Sequence, residues 1–285
     1  MKPKPSVTII GTGALGSALL QFFKNSDYKI KSYWNSGGGS IAERPEIFTG
    51  AEKSLPADKN EIGEWVFITT PDDVIKSISD KLLNLSSDWT GTSFIHCSGG
   101  KTSDILRPLK KAGAKTASMH PIQTFRKGDD ESRFKNISIS IEGDEILSDH
   151  LNTLAEEMGG KPLKLSSEEK KNVHIAAVFA SNYIVAILGA AETYLADNGI
   201  ENGLKILYPL FSQTLQNISE MGAEGALSGP VARGDEDTIK NHLSMLKGTD
   251  SEKIYKILGR EAVRIALSGK QINEEKADRL KKIFA

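Results

Sequence analysis

The chain has 285 residues, of which 39% are hydrophobic and 26% charged, and its formal net charge is −1. These values are typical of an ordinary globular protein with one or two domains, and they argue against a nucleic-acid or anionic-membrane partner. The single cysteine, Cys97, excludes an intramolecular disulfide and a cysteine metal cluster. We therefore expect no metal site and a reducing cytoplasm, without a signal peptide before the first strand.

A glycine-rich turn near the N-terminus joins a predicted strand to a predicted helix. The apolar run 7–10 predicts a buried strand, Gly11, Gly13 and Gly16 follow at G-x-G-x-x-G spacing, and 14–23 predicts an amphipathic helix. The glycines permit a sharp turn, close approach of a pyrophosphate, and close packing of helix on strand. Free N–H groups at the helix N-terminus favour phosphate. The turn predicts a dinucleotide site; the alternative is a glycine-rich turn of another α/β protein.

The second predicted strand, 28–34, ends without the acidic residue that usually holds the ribose of NAD. Asn35 and Ser36 follow it, and Arg44 lies a short loop further on. These groups can bind a 2′-phosphate that a carboxylate would repel, so we predict NADP in preference to NAD. Alternatively, 37–39 is only a glycine loop and Arg44 a solvated charge. The predicted cofactor contacts are Gly11, Thr12, Gly13, Ala14, Leu15, Gly16, Asn35, Ser36, Arg44, Thr69, Thr70 and Pro71.

Strands and helices alternate up to about residue 142. Further strands are predicted at 65–70, 93–96, 115–119 and 137–141. This alternation predicts an α/β fold with a Rossmann-like, doubly wound and mostly parallel sheet, in which the last strands need not be parallel. Ligands bind at the carboxyl ends of such strands, so Thr69, Thr70 and Pro71 are expected beside the cofactor.

The remainder of the chain is predicted to be helical. Ser166 and Glu169 form a capping box before a single helix from about Ser167 to Asp197, which would be roughly 45 Å long. Helices are also predicted at 203–220, 236–247, 251–268 and 273–284, with a polar loop at 227–235. The apolar stretch 173–191 is interrupted by polar residues, which favours a core or dimer-interface helix over a membrane span.

These patterns predict two domains. Residues 1–143 form the NADP-binding Rossmann domain, and residues 144–285 form an all-α domain for substrate binding and dimerisation. We expect a homodimer built on the C-terminal helices, because the predicted helix 167–197 has more apolar surface than a small domain can cover.

Six segments in chain order, GTGALG, TTPDD, HCSGG, SMHPIQTF, HIAAVFASNY and GPVARGD, resemble a known group. Together they look like the Rossmann-like plus DUF2520 proteins. That group lies in the 6-phosphogluconate dehydrogenase-like superfamily, with pyrroline-5-carboxylate reductase, ketopantoate reductase and prephenate dehydrogenase as relatives. The resemblance covers nearly the whole chain. It implies an NADP-linked oxidoreductase with a helical, often dimeric C-terminal domain, and it fixes no substrate, although some members are linked with ketopantoate reduction.

Two features of these relatives can be compared residue by residue. Prephenate dehydrogenases have a His-Pro pair whose histidine contacts the reacting hydroxyl, and His120 followed by proline is similar to it. Their Ser-x-Gly turn one strand earlier is matched loosely at Ser98. Ketopantoate reductases and hydroxyacid dehydrogenases carry Lys and Asn four residues apart on the long helix, whereas here Lys170 is followed at that spacing by His174. This departure leaves open whether a lysine takes part.

Three histidines are candidates for the chemistry, because imidazole titrates near neutral pH. His120 should lie at the cofactor edge, where it can donate a proton to a carbonyl oxygen or hold an alcohol, or only fasten its loop. His96 either contacts substrate or faces inward. His174 shares a predicted helix face with Ser181, and Asn182 is adjacent; this polar row serves the substrate or an interhelical hydrogen bond. The predicted catalytic residues are His120, Ser98, His174 and Asn182.

The predicted substrate contacts are His96, Gln123 and Arg233. Arg233 can grip a carboxylate with two hydrogen bonds, or form a salt bridge to Asp235 within its own loop. We therefore predict an NADP-dependent oxidoreductase acting on a small keto acid, hydroxy acid or imino acid, such as ketopantoate. The alternatives are a catalytically inactive NADP-binding sensor, or proton-transfer chemistry with the NADP retained as structure.

Overall fold

The computed structural model describes residues 3–35 and 56–285, and the chain divides into two compact units between Ala180 and Ser181. The first unit contains a seven-stranded sheet with the order β2-β1-β3-β4-β5-β6-β7. Its strands are β1 (Val7–Ile10), β2 (Ile30–Trp34), β3 (Trp65–Ile68), β4 (Ser93–His96), β5 (Lys115–Pro121), β6 (Ser138–Gly143) and β7 (Lys161–Lys164). Neighbouring strands are parallel except β5 and β6, which are antiparallel.

Helices cover both faces of this sheet. They are α1 (Ala14–Lys24), α2 (Asp72–Leu85), α3 (Arg107–Lys111), α4 (Glu145–Glu157) and α5 (Ser167–Ala180). Successive strand residues point to opposite faces, so Ile9 packs in one apolar cluster with α1 and α4, and Ile10 packs in another with α2 and α3. The predicted doubly wound α/β fold is therefore confirmed, including its non-parallel later strand.

The second unit is helical throughout its described elements. These are α6 (Asn182–Asp197), α7 (Gly203–Ala226), α8 (Pro230–Arg233), α9 (Glu236–Leu246), α10 (Asp250–Ser268) and α11 (Glu274–Ile283). A small core forms around Val231, Ile239, Val263 and Phe284. Many other large apolar side chains stay in solvent: Val185 is 70% exposed.

The compact units divide later in the chain than the boundary predicted after residue 143. The reason is that α4, β7 and α5 pack on the sheet: α4 contributes Leu151 and Leu154 to the first apolar cluster, and β7 pairs with β6. The assignment of substrate binding and dimerisation to residues 144–285 stays a prediction.

Three predictions about local structure are wrong. β7 lies in the region predicted to be only helical, because Lys161–Lys164 pairs with β6 through tertiary hydrogen bonds that a short polar sequence does not reveal. The single helix from Ser167 to Asp197 is interrupted at Ser181, whose φ of −124° and ψ of −71° are non-helical. The predicted polar loop contains the short helix α8, which begins at a proline, a residue suited to a first helical turn.

The interrupted stretch 167–197 is the one described segment that is long and apolar enough to cross a membrane by composition, with a mean hydropathy of 1.8. None of the residues in its most apolar window is buried within the chain. The expected burial in a core is therefore not provided by the single chain.

Candidate functional site

The glycine turn has the geometry that each glycine was expected to provide. Gly11 has a φ of +102°, a conformation that favours glycine, and its N–H donates to the Trp34 carbonyl at 2.9 Å. A side chain at Gly16 would collide with the Gly11 carbonyl oxygen, so α1 lies close against the turn. A Cβ at Gly13 would meet no atom within 4 Å. The turn is therefore closed where the helix packs and open where a phosphate would approach.

Thr69, after β3, extends this edge. Its N–H donates to the Ile10 carbonyl at 2.9 Å and its hydroxyl to the Gly11 carbonyl. The neighbouring Thr70 hydroxyl is buried and has no hydrogen-bond partner in the described part of the chain. Asn35 directly follows β2, whereas Ser36 and Arg44 lie outside the described residues. The described cofactor candidates therefore follow β1, β2 and β3, which are neighbours in the sheet.

A second polar turn follows β4 at the same edge, because β1, β3, β4 and β5 are mutually parallel. Ser98 forms its centre: its N–H donates to His96 Nδ1 at 3.2 Å, and its hydroxyl accepts the Lys101 N–H at 3.0 Å. His96 has no exposed surface, and burial lowers its pKa to about 4. At this position His96 holds the turn, which favours the inward orientation over substrate contact. Burial likewise raises the pKa of the Cys97 thiol to about 12.

His120 lies near the end of β5 and next to this turn. Its Nδ1 is 3.0 Å from the Cys97 carbonyl oxygen. A carbonyl oxygen only accepts, so Nδ1 carries the proton and the neutral ring presents a lone pair at Nε2. Burial, opposed by the Cys97 bond and assisted by the nearby Lys170 charge, lowers the pKa of His120 to about 4. The neutral ring can therefore accept a hydrogen bond at Nε2. The proton donation or alcohol contact expected of His120 stays a prediction.

His174, on α5, faces His120 across Gly99. The two ring centroids are 6.1 Å apart and the rings are nearly perpendicular, at 82°. A Cβ on Gly99 would lie 2.5 Å from His174 Nδ1 and 2.8 Å from His120 Nε2. Glycine at position 99 therefore lets the two histidine rings pack closely against the turn. His174 Nδ1 is buried and has no hydrogen-bond partner among the described residues.

Lys170 is the residue whose part in the chemistry the sequence left open. The predicted capping box is present: the Ser166 hydroxyl donates to Glu169 at 2.7 Å, and the Glu169 N–H donates to Ser166 Oγ at 3.2 Å. This start turns Lys170 toward the sheet, where it is 1% exposed and its Nζ donates to the Ser98 carbonyl at 2.8 Å. Burial lowers the pKa of Lys170 to about 8, and the carboxylates of Glu142 and Asp72 oppose the shift.

Glu142 is the buried carboxylate of this cluster, at 5% exposure. It accepts hydrogen bonds from the Ser103 N–H at 2.8 Å, the Ser103 hydroxyl at 2.9 Å and the Ser167 hydroxyl at 2.7 Å. These bonds satisfy a charge that would otherwise be costly to bury. Glu142 thereby joins β6 to the first turn of α5, which also carries Lys170. The lysine–histidine pair four residues apart was visible in the sequence; its orientation was not.

The other predicted site residues have a local partner or belong to the second unit. Gln123 is exposed, and its Oε1 accepts the Thr124 N–H at 2.8 Å. Asn182 is exposed at the start of α6 in the second unit. Arg233 is in the second unit too: its side chain is 66% exposed and lies 4.0 Å from Asp235, the pairing considered as the alternative to substrate. Their contacts with substrate stay predictions. The described residues contain no group of three or more His, Cys, Asp and Glu side chains suited to a metal.

Comparison with known proteins agrees with this organisation. A Rossmann-like domain model matches residues 1–121, and the model of a domain of unknown function, DUF2520, matches residues 137–262. No curated protein matches the chain.

Solved structures match over nearly the whole chain. Protein TM1727 from Thermotoga maritima is 28% identical, with a TM-score of 0.73, covering 93% of this chain and 99% of that one. A Bacteroides fragilis protein described as an NADP oxidoreductase is 21% identical, also with a TM-score of 0.73, covering 91% and 98%. A reductive aminase from Aspergillus terreus, in complex with NADPH and ethyl levulinate, is 14% identical, with a TM-score of 0.59, covering 99% and 92%.

Proposed function

We propose that this chain, in which a Rossmann-like domain precedes a DUF2520 domain, is an NADP-dependent oxidoreductase that acts on a small keto, hydroxy or imino acid. The observation that carries the proposal is the position of Lys170, His120 and His174. His120 and His174 lie beside Gly99, and Lys170 donates to the Ser98 carbonyl, at the sheet edge that also carries the glycine turn. A cofactor site and a cluster of titratable groups at one edge is the arrangement that hydride transfer requires.

The described residues fit a dinucleotide. Gly13 leaves open space, the N-terminus of α1 offers N–H groups to phosphate, and the buried Thr70 hydroxyl has a hydrogen bond to give. Asn35, Ser36 and Arg44 would hold the 2′-phosphate that distinguishes NADP from NAD. The reductive aminase neighbour contains NADPH, and the Bacteroides fragilis neighbour is described as an NADP oxidoreductase, which supports the same cofactor. When bound, the cofactor would supply or accept the hydride.

Within this proposal each polar side chain has a separate task. Lys170 fixes the Ser98 turn through its hydrogen bond and attracts the carboxylate of an acidic substrate. Burial lowers the pKa of His120, and the Lys170 charge adds to that effect. His120 and His174 orient the reacting group on the two sides of Gly99. Arg233 would grip the carboxylate of the substrate with two hydrogen bonds. Asn182 and Gln123 would complete its polar contacts.

The main alternative is a protein that binds NADP without catalysing a reaction. Burial of Lys170 and His96 speaks against it, because buried ionisable groups cost folding free energy and cluster where chemistry needs shifted pKa values. Retained NADP with proton-transfer chemistry is the remaining alternative, and it predicts that no cofactor is oxidised.

The proposal also includes a second copy of the chain. The exposed apolar side chains of α6 and α7, such as Val185 and Leu210, would be covered in a homodimer of the helical units. With such a partner the chain has no need of a membrane, and we keep the expectation that it works in the cytoplasm.

The test is an NADPH-oxidation screen at neutral pH over 2-keto acids and cyclic imines, with ketopantoate and pyrroline-5-carboxylate among them. Binding of NADPH and NADH is measured in parallel by fluorescence. We expect tighter binding of NADPH and turnover of at least one compound. Absence of NADPH binding would overturn the oxidoreductase proposal, and tight NADPH binding without turnover of any compound would favour the sensor.

A further inference from the structure

The direction of the hydrogen bond at His120 restricts what the site can reduce. Nδ1 donates to the Cys97 carbonyl, so the neutral ring has only a lone pair at Nε2 to offer a substrate. That lone pair lies beside Gly99 and close to the His174 ring. A bare carbonyl oxygen has no proton to give to this nitrogen, whereas the N–H of a protonated imine has one.

The charges around the two imidazoles also favour a cationic substrate. Glu142 and Asp72 contribute two carboxylates against the one ammonium of Lys170. Lys170 is already committed to the Ser98 carbonyl and is 1% exposed, so it is poorly placed to protonate an oxygen of the substrate. A ketone would need exactly such a donor as the hydride arrives, since an alkoxide forms on its oxygen.

We infer that the substrate class is a small imine, protonated on nitrogen, whose N–H donates to His120 Nε2. This inference rests on the proposed function. The hydride adds to the imine carbon, the π pair of the C=N bond moves to nitrogen, and the nitrogen, which already carries its proton, becomes a neutral amine. The imine is reduced, the nicotinamide is oxidised, and no proton is needed from the chain.

His174 has a positioning role in this arrangement. Its ring stands at 82° to that of His120, which limits how an imine bound at His120 Nε2 can lie. A Cβ at position 99 would collide with both rings. Gly99 therefore allows the two rings to pack closely.

The kinetic experiment compares two five-carbon acids with the holoenzyme, the cyclic imine pyrroline-2-carboxylate and the open-chain ketone 2-oxopentanoate. We expect kcat/KM for the imine to exceed that for the ketone by at least about tenfold, the effect of one hydrogen bond to a charged group. A preference for the ketone would overturn the inference and leave the proposed oxidoreductase standing. NADPH binding with neither compound reduced would overturn the inference, and loss of NADPH binding would overturn both.

Three variants and one spectrum complete the test. His120→Leu removes the acceptor and should lower kcat/KM for the imine. His120→Gln keeps an acceptor oxygen and should retain more of the native kcat/KM. His150→Gln, on α4, is the control for folding. Nitrogen-detected NMR of the imidazoles should show His120 as the neutral Nδ1–H form at pH 7. An Nε2–H or doubly protonated ring there would contradict the inference, whatever the rates.

Discussion

The two units of the chain depart from the usual distribution of side chains in opposite directions. The first unit buries groups that normally stay in water: Lys170 is 1% exposed and His96 0%. The second leaves in water groups that are normally buried, with Leu210 67% exposed and Met245 68%. Both arrangements cost free energy in the isolated chain. We propose chemistry at a sheet edge as the reason for the first arrangement and a partner surface as the reason for the second.

The largest effect on kcat/KM is expected at Lys170. Lys170→Met removes the ammonium that holds the Ser98 carbonyl and should lower kcat/KM by about 10- to 100-fold, the range of one charged hydrogen bond. Because the native pKa of Lys170 is lowered by burial, its charged form destabilises the folded state at pH 7. The variant should therefore unfold at a higher temperature. Lys171→Met, an exposed neighbour, is the control and should change neither quantity.

A matched pair of glycine variants separates cofactor binding from packing at the glycine turn. Gly13→Ala should leave the unfolding temperature unchanged, because its Cβ meets nothing, and should weaken NADPH binding by about tenfold as the methyl group obstructs the pyrophosphate. Gly16→Ala should destabilise the fold by about 1–3 kcal/mol, because its Cβ would collide with the Gly11 carbonyl. Calorimetry and fluorescence titration separate the two effects. Unchanged NADPH affinity in Gly13→Ala would contradict the assignment of the turn.

The pH dependence tests the buried charge directly. The pKa of Lys170 is lowered from 10.5 to about 8, so its ammonium is present below that pH and is lost above it. We expect kcat/KM for an acidic substrate to fall toward about tenfold per pH unit above pH 8. Substrate titration contributes equally to the native enzyme and to Lys170→Met. The difference between their profiles therefore reports the lysine, and identical profiles would contradict its role.

The smallest effect concerns the apolar surface of the second unit. Light scattering at micromolar concentration should give twice the mass of one chain. Val185→Glu and Leu210→Glu, each placing a charge on a side chain that is 70% or 67% exposed, should return the mass toward that of one chain. Glu201→Lys, in the exposed turn before α7, is a surface control. A monomer in the native protein would remove the explanation for this surface.

Sequence reasoning predicted those features that depend on local spacing. The roles of Gly11, Gly13 and Gly16 follow from where a Cβ would point, and each is visible in the motif itself. The capping box at Ser166 and Glu169 is likewise local. The alternation of apolar strands and amphipathic helices was sufficient for the sheet and for its coverage on both faces.

Features set by tertiary contacts could not be predicted in the same way. Two adjacent lysines look alike in sequence, and only the docking of α5 decides that Lys170 enters the cluster while Lys171 faces solvent. No proline or glycine at Ser181 indicates the break in the helix. The position of the proton on His120 depends on the Cys97 carbonyl, 23 residues earlier in the chain, and no pattern within β5 indicates that contact.

The proposed function requires that a substrate held at the polar cluster beside Gly99 accept a hydride from NADPH. The most direct measurement is isotope transfer, with NADPH deuterated at the transferable position and pyrroline-2-carboxylate or a keto acid found active in the screen. Mass spectrometry of the product should show one deuterium on the former C=N or C=O carbon, with native enzyme and not with heat-denatured protein. Product without deuterium, or oxidation of NADPH without reduced product, would contradict hydride transfer by this protein.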